Sequence, residues 1–312
     1  MKKAAIKDGR FLARLKGRMQ QGGLYNILVY IILIDLAFVF LYPFIYMLVT
    51  SLKSYNDITD ITVKWYPREL SPQNWKTAFE TLNFSRTFFN SLFVSLLSTL
   101  GHLISCSFVA YGFARYKFPL KKLMFFGVLL TIVIPVQSII IPQYRLYVQL
   151  GIEGYWALIL PTFLGFGLRG GLFIFLFRQF FLRLPTALEE AAEIDGTNPF
   201  GTFLRIILPS SGPIMLVCFV LSMVWHWNDY YEPSLYLTDA NQWLLPQALP
   251  AMYNLIKEMG MTTSSDTVAL RLMYHDGVVM AGTAIAVLPL LILYLCLQNK
   301  FVESIDRTGI VE

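Results

Sequence analysis

Hydrophobic residues in this chain run in six long blocks, and the charged residues collect between them. The blocks cover roughly Leu24 to Val49, Phe88 to Phe113, Leu123 to Ile141, Tyr155 to Phe177, Ile206 to Trp227 and Val278 to Leu297. Each is close to or above the ~20 helical residues that cross a ~30 Å hydrocarbon layer. Lipid offers no partner to a bare peptide group, so blocks of this kind predict helices. The expected fold is all-α, a polytopic membrane protein with six transmembrane helices. An even number of crossings puts both termini on one side.

The segment between the fourth and fifth blocks has a different pattern. Glu189-Glu190-Ala191-Ala192-Glu193-Ile194-Asp195-Gly196 is followed by Ile206-Ile207-Leu208-Pro209. Pro185 suits a first helical position and Gly196 suits a left-handed helix end, so Leu184 to Asp195 is predicted as about three turns. Leu184, Leu188, Ala191 and Ala192 then gather on one side, with Glu189 and Glu193 on another. A second short helix opens at Asn198-Pro199, Asn as cap and Pro in the first turn, and runs to Leu208-Pro209. This charged hairpin, 184–209, reads as a grip for something outside the bilayer. The plainer alternative is an interfacial loop that seals the bundle.

Composition agrees with the pattern: 56% hydrophobic and 14% charged residues, against roughly 45–50% and 25% in soluble domains. Lys and Arg near span ends are retained in the cytoplasm. With the N-terminus inside, the inner segments hold 16 of the 25 Lys and Arg residues, the outer loops 8, and Arg169 lies within a span. The topology is therefore N-in and C-in, with the hairpin in the cytoplasm. The net charge of +5 is accounted for by topology, and no nucleic-acid partner is implied. Residues 1–23 lack a signal peptide's apolar region. Phe11, Leu15 and Met19 recur among basic residues there, which predicts a short amphipathic helix on the inner leaflet. Residues 24–299 form the transmembrane domain and 300–312 a cytoplasmic tail.

Chemistry-bearing residues are sparse. Cys106, Cys218 and Cys296 sit in separate blocks, and His102, His226 and His275 are scattered, so neither a metal site nor a disulfide framework is indicated. No Gly-x-x-x-x-Gly-Lys-Ser/Thr loop occurs, so the chain cannot by itself cradle and hydrolyse ATP; no cofactor and no covalent chemistry are expected in it, and any energy source must lie on another polypeptide. Trp225, Trp227, Asn228, Asp229, Tyr230 and Tyr231 cluster at the outer end of the fifth block. Rings with amide and carboxylate groups suit a sugar path; an aromatic belt at the membrane boundary is the alternative. Asp35 and Arg169 are the two charged residues inside blocks. Charges there are costly unless paired or facing water. Either Arg169 faces the path, where it would favour an acidic sugar, or it pairs structurally with Asp35.

The hairpin spacing is Glu-Ala-Ala, three residues, Gly, nine residues, Ile, one residue, Leu-Pro. It resembles, at every fixed position, the permease subunits of bacterial ATP-binding-cassette (ABC) importers. Ile194-Asp195-Gly196 with Phe203 and Leu208-Pro209 is similar to the carbohydrate-uptake, maltose-type branch. So are Ser71-Pro72-Gln73-Asn74-Trp75, Ala110-Tyr111-Gly112-Phe113-Ala114-Arg115 and Trp227-Asn228-Asp229, in the same order. The resemblance implies a type I importer permease fold in a bacterial plasma membrane. It also implies a second homologous permease, with a heterodimer expected, two ATPase subunits that bind the ATP and Mg, and an extracellular solute-binding protein. By resemblance, Glu190, Ala191, Ala192 and Gly196 belong to a coupling helix that fits a cleft of the ATPase. Tyr253 to Asp276, polar around Thr262 to Asp266, departs from the family and reads as an external insertion. The tail also lacks the small, basic ending of the maltose-type subunits. Glycerol phosphate, polyamine and peptide permeases are alternatives within the class. A stand-alone secondary transporter is disfavoured by the absence of a clear internal repeat and of further intramembrane charges.

Overall fold

A computed structural model describes residues 23–167, 169–261 and 273–308, and apart from one isolated bridge between Lys53 and Leu70 the regular secondary structure among them is all helical. The expected amphipathic segment up to residue 22, the polar stretch Thr262 to Asp266 and the last four residues lie outside the described residues. Three helices are long and apolar enough to cross a membrane unbroken, and three bent pairs bring the number of spans to as many as six.

The unbroken helices are α1 (Gly23–Ser51), α3 (Phe84–Arg115) and the last helix, α13 (Asp276–Thr308). Between α1 and α3 lies the short outer helix α2 (Gln73–Thr81). Helix α3 is the spine, and its buried face is built of small residues: Ser91, Ser95, Ser98, Thr99, Gly101 and Ser105. Lipid tails are as apolar as leucine, so membrane helices associate through close backbone approach and interhelical hydrogen bonds. Both occur where α3 crosses α6 (Tyr155–Phe163). Ser105 Oγ donates to the Thr162 carbonyl at 2.5 Å, and a methyl at Gly101 would sit 2.1 Å from Thr162 Oγ1.

Three of the predicted blocks are broken rather than continuous. The third splits into α4 (Lys121–Val133) and α5 (Val136–Gln149), bent by 107°. Pro135 forces Ile134 into extended backbone (φ −69°, ψ 121°), as the residue before a proline usually is. The fourth ends α6 at Phe163 and resumes as α7 (Gly170–Arg183). The break carries Gly165, Gly167 and Arg169 at positive φ. The fifth span starts at Gly212 instead of Ile206. Residues Pro199–Ser210 form helix α9, and α10 (Gly212–Asn228) leaves it at 78°. Ile206 to Ser210 therefore belongs to the hairpin.

One core joins these pieces. Phe173, Phe177 and Phe181, four apart along α7, are wholly buried against Tyr111 and Cys106 of α3, Phe203 and Ile207 of α9, and Ile214 and Cys218 of α10. A second cluster packs α2 and α13 against α12 (Leu245–Met261) through Ala78, Leu82, Met252, Ile256 and Ala281. The boundary expected at Tyr253 is thus not a structural one, since α12 runs through it and buries Ile256. Likewise α13 continues through Lys300 into the expected tail, with Phe301 against the main core.

Gly101→Ala is expected to lower the thermal unfolding midpoint in detergent by the equivalent of about 1–3 kcal/mol, the usual cost of an overpacked contact. Gly127→Ala, with nothing within 4 Å of the added methyl, should leave it unchanged or slightly raised. Equal midpoints for the two variants would mean that α3 and α6 do not meet at Gly101.

Candidate coupling hairpin and translocation cavity

The hairpin's first arm is α8 (Ala187–Ile194), two turns rather than three. Leu184, preceding Pro185, is extended (ψ 137°), so the helix begins only after the proline turn, with Thr186 as its cap residue. Its end follows the expected chemistry. Gly196 takes φ +74°, and Thr197 N donates to Ala192 O while Gly196 N donates to Glu193 O, the paired bonds of a glycine-terminated helix. Asp195 is the exposed residue before that turn. The second arm opens as predicted, with Asn198 Oδ1 accepting from Gly201 N at 2.7 Å and Pro199 in the first turn.

Neighbouring side chains on α8 have opposite tasks. Ala192 is buried and Ala191 exposed, so the two alanines do not form one contact face. Glu189 turns inward: its Oε1 accepts from Arg115 Nε at 2.7 Å, and Arg115 Nη2 donates to the Leu184 carbonyl at 2.7 Å. The pair's side chains are only 10% and 21% exposed. A guanidinium fork reaching two acceptors is geometrically demanding, and lysine cannot reproduce it. Arg115 ends α3, so the bond ties the hairpin to the spine. Glu190, Glu193 and Ile194, the last 87% exposed, are left facing outward.

The second site is a cavity of about 390 Å³, bounded by the α4–α5 bend and by Arg169, Trp225, Asn228, Asp229 and Tyr231. A neighbouring cavity of about 460 Å³ shares Arg169 and adds Gln143 and the buried Glu232. The Arg169 guanidinium lies 4.6 Å over the Trp225 ring, and Trp225 also packs on Phe173 at 5.5 Å between centroids. Asn228 Nδ2 turns back to the Val224 carbonyl at 2.8 Å, and Asp229 Oδ1 accepts from Tyr231 N at 3.1 Å.

Three expectations for this region change. Trp227 is not in the cavity; it is buried among Met223, Leu245 and Ala286 and its Nε1 donates to the Ala286 carbonyl. Tyr230 is exposed beside Tyr231 and does not line the cavity. Asp35 lies on the exposed surface of α1 and makes no ion pair with Arg169. The histidines are not all scattered: His102 and His226 stack at 5.2 Å, with Nε2 of His226 3.4 Å from Nδ1 of His102. His102 Nδ1 also meets Ser222 Oγ at 3.2 Å. This polar knot joins α3 to α10 and backs the Gly165–Gly170 break, since a methyl on Gly167 would lie 3.5 Å from His102 Nε2.

Sequence reasoning met Arg115 only within the Ala110–Arg115 run, without its tie to the hairpin, and missed Gln137 and Glu232. Pro135 within a predicted span was the available signal for the α4–α5 bend that brings Gln137 to the cavity. Glu232, four residues beyond Asn228, sat beside a cluster already singled out.

Bent membrane helices around a cavity of mixed polar and apolar lining, with a braced two-helix knuckle at one end, are the arrangement of a transport permease. Residues 104–307 match the family described as the binding-protein-dependent transport system inner membrane component, and the chain belongs to that family of multi-pass ABC transporter permeases. It is 31% identical over 272 residues to the probable starch degradation products transport system permease protein AmyC of Thermoanaerobacterium thermosulfurigenes, covering 87% of this chain and 92% of that one. To the polygalacturonan/rhamnogalacturonan transport system permease protein YtcP of Bacillus subtilis it is 27% identical over 289 residues, covering 90% and 96%. The fold is similar to a chain in the crystal structure of a bacterial ABC transporter involved in the import of the acidic polysaccharide alginate. There the TM-score is 0.73 at 20% identity, covering 89% of this chain and 96% of that one.

Arg115→Gln removes both bonds at once and leaves Glu189 half-buried beside no cation, a loss of about 2–3 kcal/mol. Hydrogen exchange should then quicken across residues 184–195 while α7 around Phe177 stays protected. Arg115→Lys should fall between that variant and the parent. Unchanged exchange in the hairpin would show that the Arg115 fork does not hold it.

Proposed function

We propose that this permease forms half of the translocation path of an ATP-driven oligosaccharide importer and that hairpin 184–209 is its mechanical contact with a separate ATPase subunit. The hairpin carries the reading. Its second arm is rooted in the core through Phe203 and Ile207, its first arm is tied to α3 by Arg115, and Glu190, Glu193 and Ile194 face outward. A body fixed in this way can pass a displacement into the spans without folding away. Exposed carboxylates beside an apolar tip suit a cleft that offers both cations and apolar contact.

In this reading a second permease completes the path, and an extracellular solute-binding protein delivers the solute. ATP and the loaded binding protein favour an outward-facing arrangement, and hydrolysis restores the inward-facing one. Each ligand must bind one arrangement more tightly than the other, since equal affinity shifts nothing. The oligosaccharide assignment is supported by the relatives, named for starch products and for polygalacturonan, and by the mix of ring, amide and carboxylate groups at the cavity. Binding assays with the cognate solute-binding protein test the solute directly.

Gly196→Val tests the lever. Nothing lies within 4 Å of a side chain added there, so the cost is backbone strain at φ +74°, about 1 kcal/mol or more. ATP-dependent uptake by reconstituted complex should fall about tenfold, the equivalent of 1.4 kcal/mol, with normal membrane insertion and co-purification of the second permease. Full uptake with the variant, or a tagged permease that brings down no ATPase, refutes the reading.

A further inference from the structure

We propose that Arg169 is a carboxylate-recognition residue of the cavity, so that the solutes carried are oligosaccharides bearing uronic-acid-type carboxylates in preference to neutral ones. The inference rests on the oligosaccharide reading above and adds to it the charge of the solute and the group that reads it.

Four observations converge on this residue. First, its charge is unmatched: among the described residues no carboxylate oxygen lies within 4 Å of the guanidinium, and no hydrogen bond from its nitrogens is formed. Its contact is the face of Trp225, with Cζ 4.6 Å from the ring centroid, and a cation–π contact of this kind uses none of the guanidinium's five N–H donors as a hydrogen bond. Second, the plate beneath it is fixed. Trp225 is packed on Phe173, and Phe173 is wholly buried in the main core. With the guanidinium over the indole, Trp225 serves to hold the cation in place. Third, Arg169 lines two neighbouring cavities of about 390 and 460 Å³, each within the ~300–1,000 Å³ range of small-molecule sites. Fourth, its backbone is left-handed at φ +61° among Gly165, Gly167, Gly170 and Gly171. Glycine would make this turn without strain, so what arginine adds at this position is its side chain.

A cation at membrane depth persists when it is paired or serves a path. Asp35, the other charge within a span, does not pair with it, and Asp229 and Glu232 line the cavities beyond ion-pair distance. A planar fork with open donors matches a carboxylate bidentately. Gln137 and the Asn228 amide oxygen, whose own nitrogen is committed to Val224, remain for sugar hydroxyls. Asp229 repels a carboxylate from its side of the cavity and so orients the solute with its acid toward Arg169.

The test uses the complete importer with its binding protein in proteoliposomes and two probes: trigalacturonate and the trisaccharide obtained by reducing its carboxyl groups to alcohols. The parent should take up the acid faster than the alcohol. Arg169→Gln should lower acid uptake about tenfold or more, as loss of a charge-assisted bidentate pair implies, with alcohol uptake within about twofold. Arg169→Lys should keep part of the acid preference. Equal loss of both probes overturns the inference and points instead to an ion pair with the second permease, as would loss of complex assembly on size exclusion. Unchanged acid uptake in Arg169→Gln, or a parent that carries only the alcohol, overturns it as well while leaving the oligosaccharide reading in place. A parent that carries neither probe and no other sugar overturns the oligosaccharide reading itself.

Discussion

Everything in this fold answers to the inability of lipid to hydrogen-bond a peptide group. A helix satisfies its own backbone, so most of the chain is helix, and the cost of leaving a carbonyl or amide bare decides where it is not. The two breaks deepest in the predicted spans, Ile134-Pro135 and Leu164 to Arg169, both border the cavities beside Arg169. Non-helical backbone at membrane depth is tolerated where protein or an aqueous cavity covers it. The breaks and the cavity are therefore one feature. The freed peptide groups need a polar surround, and that surround is what a hydrophilic solute needs too.

How far the sequence could be read follows from the range of the forces involved. The spans were legible because bilayer thickness sets their length and composition residue by residue. The hairpin's turn was legible because Gly196 and Asn198-Pro199 act on backbone within a few residues. Bends inside spans were not, because proline and glycine are tolerated in membrane helices whenever neighbours satisfy the freed groups. Pro43 and Pro289 lie within α1 and α13 and those helices continue, whereas Pro135 ends one. Arg115 was visible only as part of a motif, and its bond to Glu189 was not legible because the partner lies 74 residues away and no local pattern marks such a pair.

Helical phase explains the remaining differences. Successive residues lie about 100° apart around a helix, so Trp225 and Trp227 point to nearly opposite sides, one to the cavity and the other to the core. The same phase puts Ala191 outward and Ala192 inward, and sets Glu189 against Arg115 while Glu190 faces solvent. A cluster read from composition overestimates a site, because members such as Trp227 and Tyr230 do not line it.

The cavity and the hairpin are the two ends of one rod. Helix α7 spans 14 residues, about 20 Å at 1.5 Å per residue. Arg169 precedes its first turn, and Leu184, whose carbonyl is held by Arg115, follows its last. Between them Phe173, Phe177 and Phe181 are wholly buried against α3, α9 and α10. Close-packed aromatic contacts resist small deformations, so a shift at either end moves the helix as a unit and does not dissipate along it. The rod carries no preference of its own between arrangements. Preference comes from whatever binds its two ends; under the function proposed above, a solute at one end and a nucleotide-driven partner at the other would be linked because both would bias the same rigid element.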